Sequence, residues 1–189
     1  MDAIVEAALK KWPNVPHCYG WLALDARGDW YMRDERCQAA GPFPQVKGSR
    51  VTHEKLREFI ARNYAADARG AWFFQNGPQR VYLQLEAAPW VWRVDAAALQ
   101  PGGTVQSHTG LSTSVDASWL DEQDRLFLST PLGLGLVHSL DMDWAAQAVE
   151  QGLWAPEFCR HADLLQRFGV CLAPEVNVAA GAAGAAAAG

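Results

Sequence analysis

The side chains able to do chemistry are scattered along this chain. His17-Cys18, Cys37, Cys159 with His161, and Cys171 supply the N and S donors that zinc takes four at a time in a tetrahedron, yet no two cysteines stand in C-x2-C spacing. A cysteine nucleophile needs a base beside it. His17 is poorly placed to serve Cys18, because adjacent side chains on an extended segment point apart. The residues therefore read first as idle or packed thiols. The alternative is a hydrolase or metal-dependent enzyme that uses these Cys and His residues. It requires the fold to gather them, or to set His108 or His138 within hydrogen-bond reach of a Ser or Cys in a cleft.

Asp25, Asp29, Asp34 and Glu35 crowd one short region but lack the alternating ligand pattern of a calcium loop, and hairpin loops favour Asp for turn reasons. Ser112, Ser114 and Ser118 have no Gly-x-Ser-x-Gly context. Gly133 and Gly135 form a lone pair of glycines in a strand, which points to a bulge or close packing rather than a phosphate loop. Glu86 is different. A carboxylate between Leu85 and Pro89-Trp90-Val91-Trp92 must face solvent or find a partner such as Arg80 or Arg93. The functional reading places Glu86, Trp90 and Trp92 together as a ligand pocket with aromatic walls and one polar anchor.

Positioning these residues requires a core, and half of the 189 residues are hydrophobic. Nine tryptophans serve either as pillars or as pocket walls. Sixteen basic residues against twenty-one acidic ones, spread along the chain, give a formal charge of -5 and disfavour a nucleic-acid partner. No run reaches the roughly 18 apolar residues of a membrane span. The N-terminal residues lack the order of a secretory signal, so the expectation is a cytoplasmic protein with reduced thiols.

Ile4, Val5, Ala8 and Leu9 predict an N-terminal helix ending before Pro13, followed by a loop to residue 19. Leu22 and Leu24, the Asp25-Ala26-Arg27-Gly28-Asp29 turn and Trp30-Tyr31-Met32 predict a hairpin. Residues 34 to 50 read as a long loop, uncommon unless functional or mobile. A helix over 52–63 is capped by Thr52, stapled by Val51 and Leu56, and buries Leu56, Phe59, Ile60 and Tyr64. A Trp72-Phe73-Phe74 hairpin and the Trp90–Trp92 strand complete a first β module, 20–100. A second module, 101–152, starts at Pro101-Gly102-Gly103, carries strands near Gly110–Val115, Leu126–Ser129 and Leu134–His138, and ends in a helix over 142–151. A C-terminal helix opened by Pro156 is expected within 153–178. Only Ala and Gly follow from residue 179, which predicts a disordered tail. Aligning Pro78 with Pro131 suggests a hairpin repeated at an offset of 53.

Leu24-Asp25-Ala26-Arg27-Gly28-Asp29-Trp30, the helix with Leu56 and Phe59, the Trp-Phe-Phe hairpin and Leu85-Glu86-Ala87-Ala88-Pro89-Trp90-Val91 together resemble a proteobacterial domain-of-unknown-function family. The resemblance covers roughly residues 20 to 152. It implies two repeated β modules similar to the pleckstrin-homology fold and a role in signalling. Where that family has an acidic pair before Ala-Pro, this chain has Glu86-Ala87, and where it has a Thr-Pro turn, this chain has Gly77-Pro78.

The expected fold class is thus α+β: two small antiparallel β modules, pleckstrin-homology-like or half-barrel, with a helix between hairpins and helices at both ends. The expected function is non-enzymatic regulation through an unidentified small molecule or protein partner. No cofactor is expected, and the protein is expected to be a monomer or homodimer.

Overall fold

The computed structural model describes residues 1–100 and 102–175; the expected Ala/Gly tail from residue 179 lies outside them. The fold is α+β, with two curled sheets, one a half-barrel. The first sheet contains β1 (Cys18–Leu24), β2 (Trp30–Met32), β3 (Ser49–Arg50), β4 (Tyr64–Ala66), β5 (Trp72–Asn76) and β6 (Gln79–Leu85), in the order β3-β2-β1-β6-β5-β4. The second contains β7 (Trp90–Arg93), β8 (Thr104–Ser107), β9 (Ser112–Ser114), β10 (Ala117–Leu120), β11 (Leu126–Thr130), β12 (Gly133–Val137) and β13 (Glu157–Phe158). Its order is β13-β10-β11-β12-β7-β8-β9.

From the β9 edge the second sheet repeats the first: two hairpin-linked meanders joined by a central parallel pair, β1 with β6 and β7 with β12. The sheets are therefore mixed rather than purely antiparallel. The β5–β6 and β11–β12 hairpins correspond at an offset of 54, not 53, because Asn76 pairs with Gln79 as Thr130 pairs with Gly133. That one residue matters, since a slip of one turns every side chain to the other face of a strand. Val81 thus corresponds to Gly135 instead of Leu134.

The switch between sheets falls at residues 86–89. Trp90–Arg93, expected in the first module, hydrogen-bonds to β12 and β8 in the second sheet. Trp90 and Trp92 stack with ring centroids 5.9 Å apart, and Trp90 lies beside Gly135 in the strand register. A β-carbon on Gly135 would fall 2.3 Å from Trp92 Nε1. Glycine is required there by the indoles, which is the close-packing reading of that glycine in structural form.

Helices fill the remaining surface: α1 (Ala3–Lys11), α2 (Glu35–Ala40), α3 (Glu54–Arg62), α4 (Met142–Glu150) and α5 (His161–Arg167). The cap of α3 is not Thr52 but His53, whose Nδ1 accepts from the Leu56 backbone N–H at 3.3 Å. Only Ile60 of this helix is fully buried and Leu56 is exposed, so Leu56 is no staple. Strand β1 starts at Cys18, inside the expected N-terminal loop. The C-terminal helix begins only at His161, because Glu157–Phe158 instead pairs with β10 as β13. Phe158 is exposed and Leu164 is the buried residue of α5. Beyond α5 the chain returns to the first sheet, where Cys171 N donates to Gly70 O and Leu85 N to Leu172 O.

The expected loop 34–50 is largely structured. It holds α2, capped by the Asp34 carboxylate through the Cys37 N–H at 2.8 Å, and β3. Beneath it lies Arg33, only 2% exposed. Its guanidinium donates to Val46 O at 3.2 Å, to Gly41 O at 2.7 Å and to the Gln84 side-chain oxygen. A buried guanidinium must have its donors satisfied, so burial of Arg33 ties residues 41–46 to β6.

Candidate functional site

Four hairpin loops share one construction: a leading Asp or Ser whose side chain accepts backbone N–H groups and holds a three-residue turn. Asp25 accepts from Arg27 and Asp29 at 2.9 and 3.0 Å, Asp67 from Arg69 and Ala71 at 2.9 and 3.1 Å, and Asp121 from Gln123 and Arg125, both at 2.9 Å. Ser107 accepts from Leu111 at 3.0 Å. Two of these loops, 25–29 and 107–111, face each other. Gly28, at φ 81°, allows the contact, since a β-carbon on it would lie 2.7 Å from the His108 β-carbon.

Where these loops meet, a cleft of about 530 Å³ opens. The first sheet and its helix contribute Arg27, Asp29, Arg50 and Arg57. The second contributes Arg93, the 106–110 turn, His138 and Leu140. Arg50 pairs with Asp29 at 2.6 Å. Arg93 is held in a fork by the buried Asp141, Nε to Oδ2 at 2.6 Å and Nη2 to Oδ1 at 3.0 Å. Burial pushes the Asp141 carboxyl up, but Arg93 and the Val94 N–H outweigh it and hold it below the ordinary value. Among the described residues, no carboxylate pairs with Arg27 or Arg57. Two cations thus line the cleft without a paired carboxylate, Arg57 with Glu54 and Glu58 in the adjoining cavity, beside two fixed pairs.

Both histidines of the cleft are neutral. His108 accepts the Val91 N–H on Nδ1 at 3.3 Å, which assigns its proton to Nε2. The ring packs against Trp30, Tyr64 and Trp90, with centroids 5.1 to 5.8 Å away, and burial lowers its pKa to about 3. Nε2 is buried with no hydrogen-bond partner, at a cost of about 1–3 kcal/mol. His138 accepts the Leu140 N–H on Nδ1 at 3.1 Å, and burial, with Arg93 and Arg27 nearby, lowers its pKa. Ser107 is engaged with Thr109 and Leu111. Among the described residues no Ser or Cys is hydrogen-bonded to either histidine, so the pairing an acyl-transfer site needs is not assembled here.

The expected Glu86–Trp90–Trp92 pocket is not formed. Trp92 is fully buried and Trp90 5% exposed, and their indole N–H groups donate to Leu128 O and Leu132 O. They are pillars of the second sheet. Glu86 points elsewhere, pairing not with Arg80 or Arg93 but with Lys47 at 3.1 Å, while its other contact is the Ala26 N–H. Lys47 also reaches Asp25 at 3.0 Å. Asp25 is 3% exposed rather than a solvated turn residue. Burial raises its pKa, but Lys47 and the backbone N–H groups of Asp29 and Arg27 lower it more.

The four cysteines are free thiols, and the fold keeps them apart on β1, on α2, after β13 and beside Ala71. His161 hydrogen-bonds Ala87 O at 2.7 Å and stacks on Phe127. Among the described residues no group of three or more His, Cys, Asp or Glu is placed to hold a metal ion. Sequence reasoning missed Arg27, Arg50, Arg57 and Arg93 as site residues. Taken singly, each is an ordinary surface cation.

Fold and cleft together define a two-sheet α+β protein with an arginine-walled cavity at the junction of its repeated halves. The chain belongs to the DUF2944 family, described as "Protein of unknown function (DUF2946)", which it matches over residues 1–180. Two crystal structures are similar to it. One is a DUF1285 family protein from Shewanella baltica OS155, with 20% identity, 64% of this chain and 85% of that chain covered, and a TM-score of 0.44. The other is a DUF1285 family protein from Silicibacter pomeroyi DSS-3, with 13% identity, 76% and 82% covered, and a TM-score of 0.48. Likeness at that level carries nothing about function. No curated protein matches the chain. Among the described residues no helix is long and apolar enough to cross a membrane.

Proposed function

We propose that the protein is a non-enzymatic regulatory module that binds an anionic small molecule in the cleft between its two sheets. The observation that carries this reading is the convergence of Arg27, Arg50, Arg57 and Arg93 on one cavity of about 530 Å³ in a chain whose net charge is -5. Four guanidiniums drawn together against the overall charge favour an anion, and guanidinium geometry suits carboxylate or phosphate. Arg50 and Arg93 are fixed by Asp29 and Asp141 and shape the site, whereas Arg27 and Arg57 supply the uncompensated charge. Four free thiols suit a reducing, cytoplasmic setting.

A thermal-shift series with phosphate, sulfate and citrate against chloride at constant ionic strength tests the reading. A ligand at a hundredfold excess over its Kd stabilises by about 2.7 kcal/mol, or roughly 5–10 °C for a chain of this size. The shift is expected in the natural protein and lost in Arg27→Ala/Arg57→Ala. If none of the anions shifts the melting temperature, the cleft is not an anion site.

A further inference from the structure

Beside the cleft lies a second, mostly apolar cavity of about 250 Å³, lined by Ala26, Leu126, Leu136, Val137 and Met142 together with Arg27, Asp124, Arg125 and Ser139. Leu126 at the start of β11 and Leu136 and Val137 at the end of β12 are nearly fully buried core residues, so the cavity abuts the ends of these two strands, where they meet the core. The same two segments wall both cavities. In the first hairpin loop, Ala26 and Arg27 line the apolar cavity while Arg27, Gly28 and Asp29 line the cleft. At the end of β12 and just after it, Leu136, Val137 and Ser139 line the apolar cavity while His138 and Leu140 line the cleft.

Arg27 belongs to both. An arginine has an apolar stem and a charged head, and it lies most favourably with the stem along apolar surface and the head at a polar site. A ligand laid out in parallel but of opposite charge, with its anion in the cleft and an apolar limb toward Leu126, Leu136 and Val137, would meet both cavities along this one side chain. We infer that the anion taken by the cleft is amphipathic: a free small molecule with a carboxylate or phosphate head and a short alkyl limb that enters the adjacent cavity. This rests on the reading of the cleft as an anion site and adds the limb.

The test compares inorganic phosphate with octyl phosphate, kept below its micelle concentration, by calorimetric titration of the full chain. Octyl phosphate is expected to bind at least tenfold more tightly. Ser139→Trp, at an exposed position on the cavity rim, and Ala26→Leu are each expected to cut that advantage while leaving phosphate affinity unchanged. The use of two variants guards against one of them failing to fold. If phosphate binds and octyl phosphate binds no better, the limb is wrong and the anion site stands. If the advantage survives in both variants, the alkyl chain goes elsewhere and the inference falls. If neither compound binds, the anion site itself is refuted.

Discussion

The tetrapeptide Asp-Ala-Arg-Gly occurs twice, at 25–28 and at 67–70, and the two copies fold alike but treat their arginines differently. In the second copy Arg69 turns back on its own loop and donates to Asp67 Oδ2 at 3.1 and 2.9 Å. In the third loop of this kind Arg125 does the same to Asp121 at 2.8 Å. In the first copy the matching oxygen of Asp25 accepts from Lys47 at 3.0 Å and Arg27 lines the cleft, whereas Asp67 Oδ2 accepts from the Tyr82 hydroxyl at 3.0 Å as well as from Arg69. One local sequence thus yields a self-neutralised turn in one place and a presented cation in the other. The first aspartate takes its cation from outside the loop, from Lys47, which directly follows the segment that Arg33 ties to the sheet.

Lys47→Met breaks that difference most strongly. With the ammonium gone, Arg27 is expected to fold onto Asp25 as Arg69 folds onto Asp67, and phosphate affinity is expected to fall roughly tenfold, although Lys47 does not line the cleft. Since Asp25 is buried, a stability loss of about 1–3 kcal/mol accompanies it. Arg69→Ala is the control. It removes an exposed, solvent-screened pair that contributes little to stability and should leave phosphate binding untouched. Titration calorimetry with urea unfolding of both variants separates the outcomes, and unchanged affinity in Lys47→Met would mean that Lys47 does not hold Arg27 in place.

A pH effect concerns the loop that faces Arg27. The His108 pKa is lowered from 6.5 to about 3 in the folded protein. Between those values the unfolded chain binds a proton that the folded one refuses, so stability is full above pH 6.5 and falls as pH drops. The slope contributed by this one group approaches about 1.4 kcal/mol per pH unit. His138, also lowered by burial, acts with the same sign. Urea unfolding between pH 4 and 7 is expected to give a shallower slope for His108→Asn; identical slopes would show that His108 is not kept neutral by its aromatic surroundings.

Much of the frame was legible in the residues. Local signals sufficed for α1, the 25–29 turn, the hairpin after Trp72, α4 and a repeated unit, because periodicity and turn chemistry act over a few residues. Short strands such as Thr104–Ser107 and Tyr64–Ala66 carry too few residues for a period to show. The switch between sheets at 86–89 is a matter of tertiary pairing that no local pattern records. The cleft was the least legible part. In the sequence Trp90 and Trp92 read as aromatic walls, yet in the fold they pack against Gly135. The charged wall comes from positions 27, 50, 57 and 93, which only the docking of the two halves brings together. A signal was nonetheless present in the duplicated Asp-Ala-Arg-Gly, whose two arginines could have been compared.

The most direct test of a site built jointly by both halves is a nitrogen-15 NMR titration of the full chain with phosphate. Shifts are expected at residues 27–29 and 57 from the first half and at 107–110, 138 and 140 from the second, saturating with a single Kd. Perturbations confined to one half, or spread over unrelated basic positions such as Lys10 and Lys11 without saturation, would contradict the account.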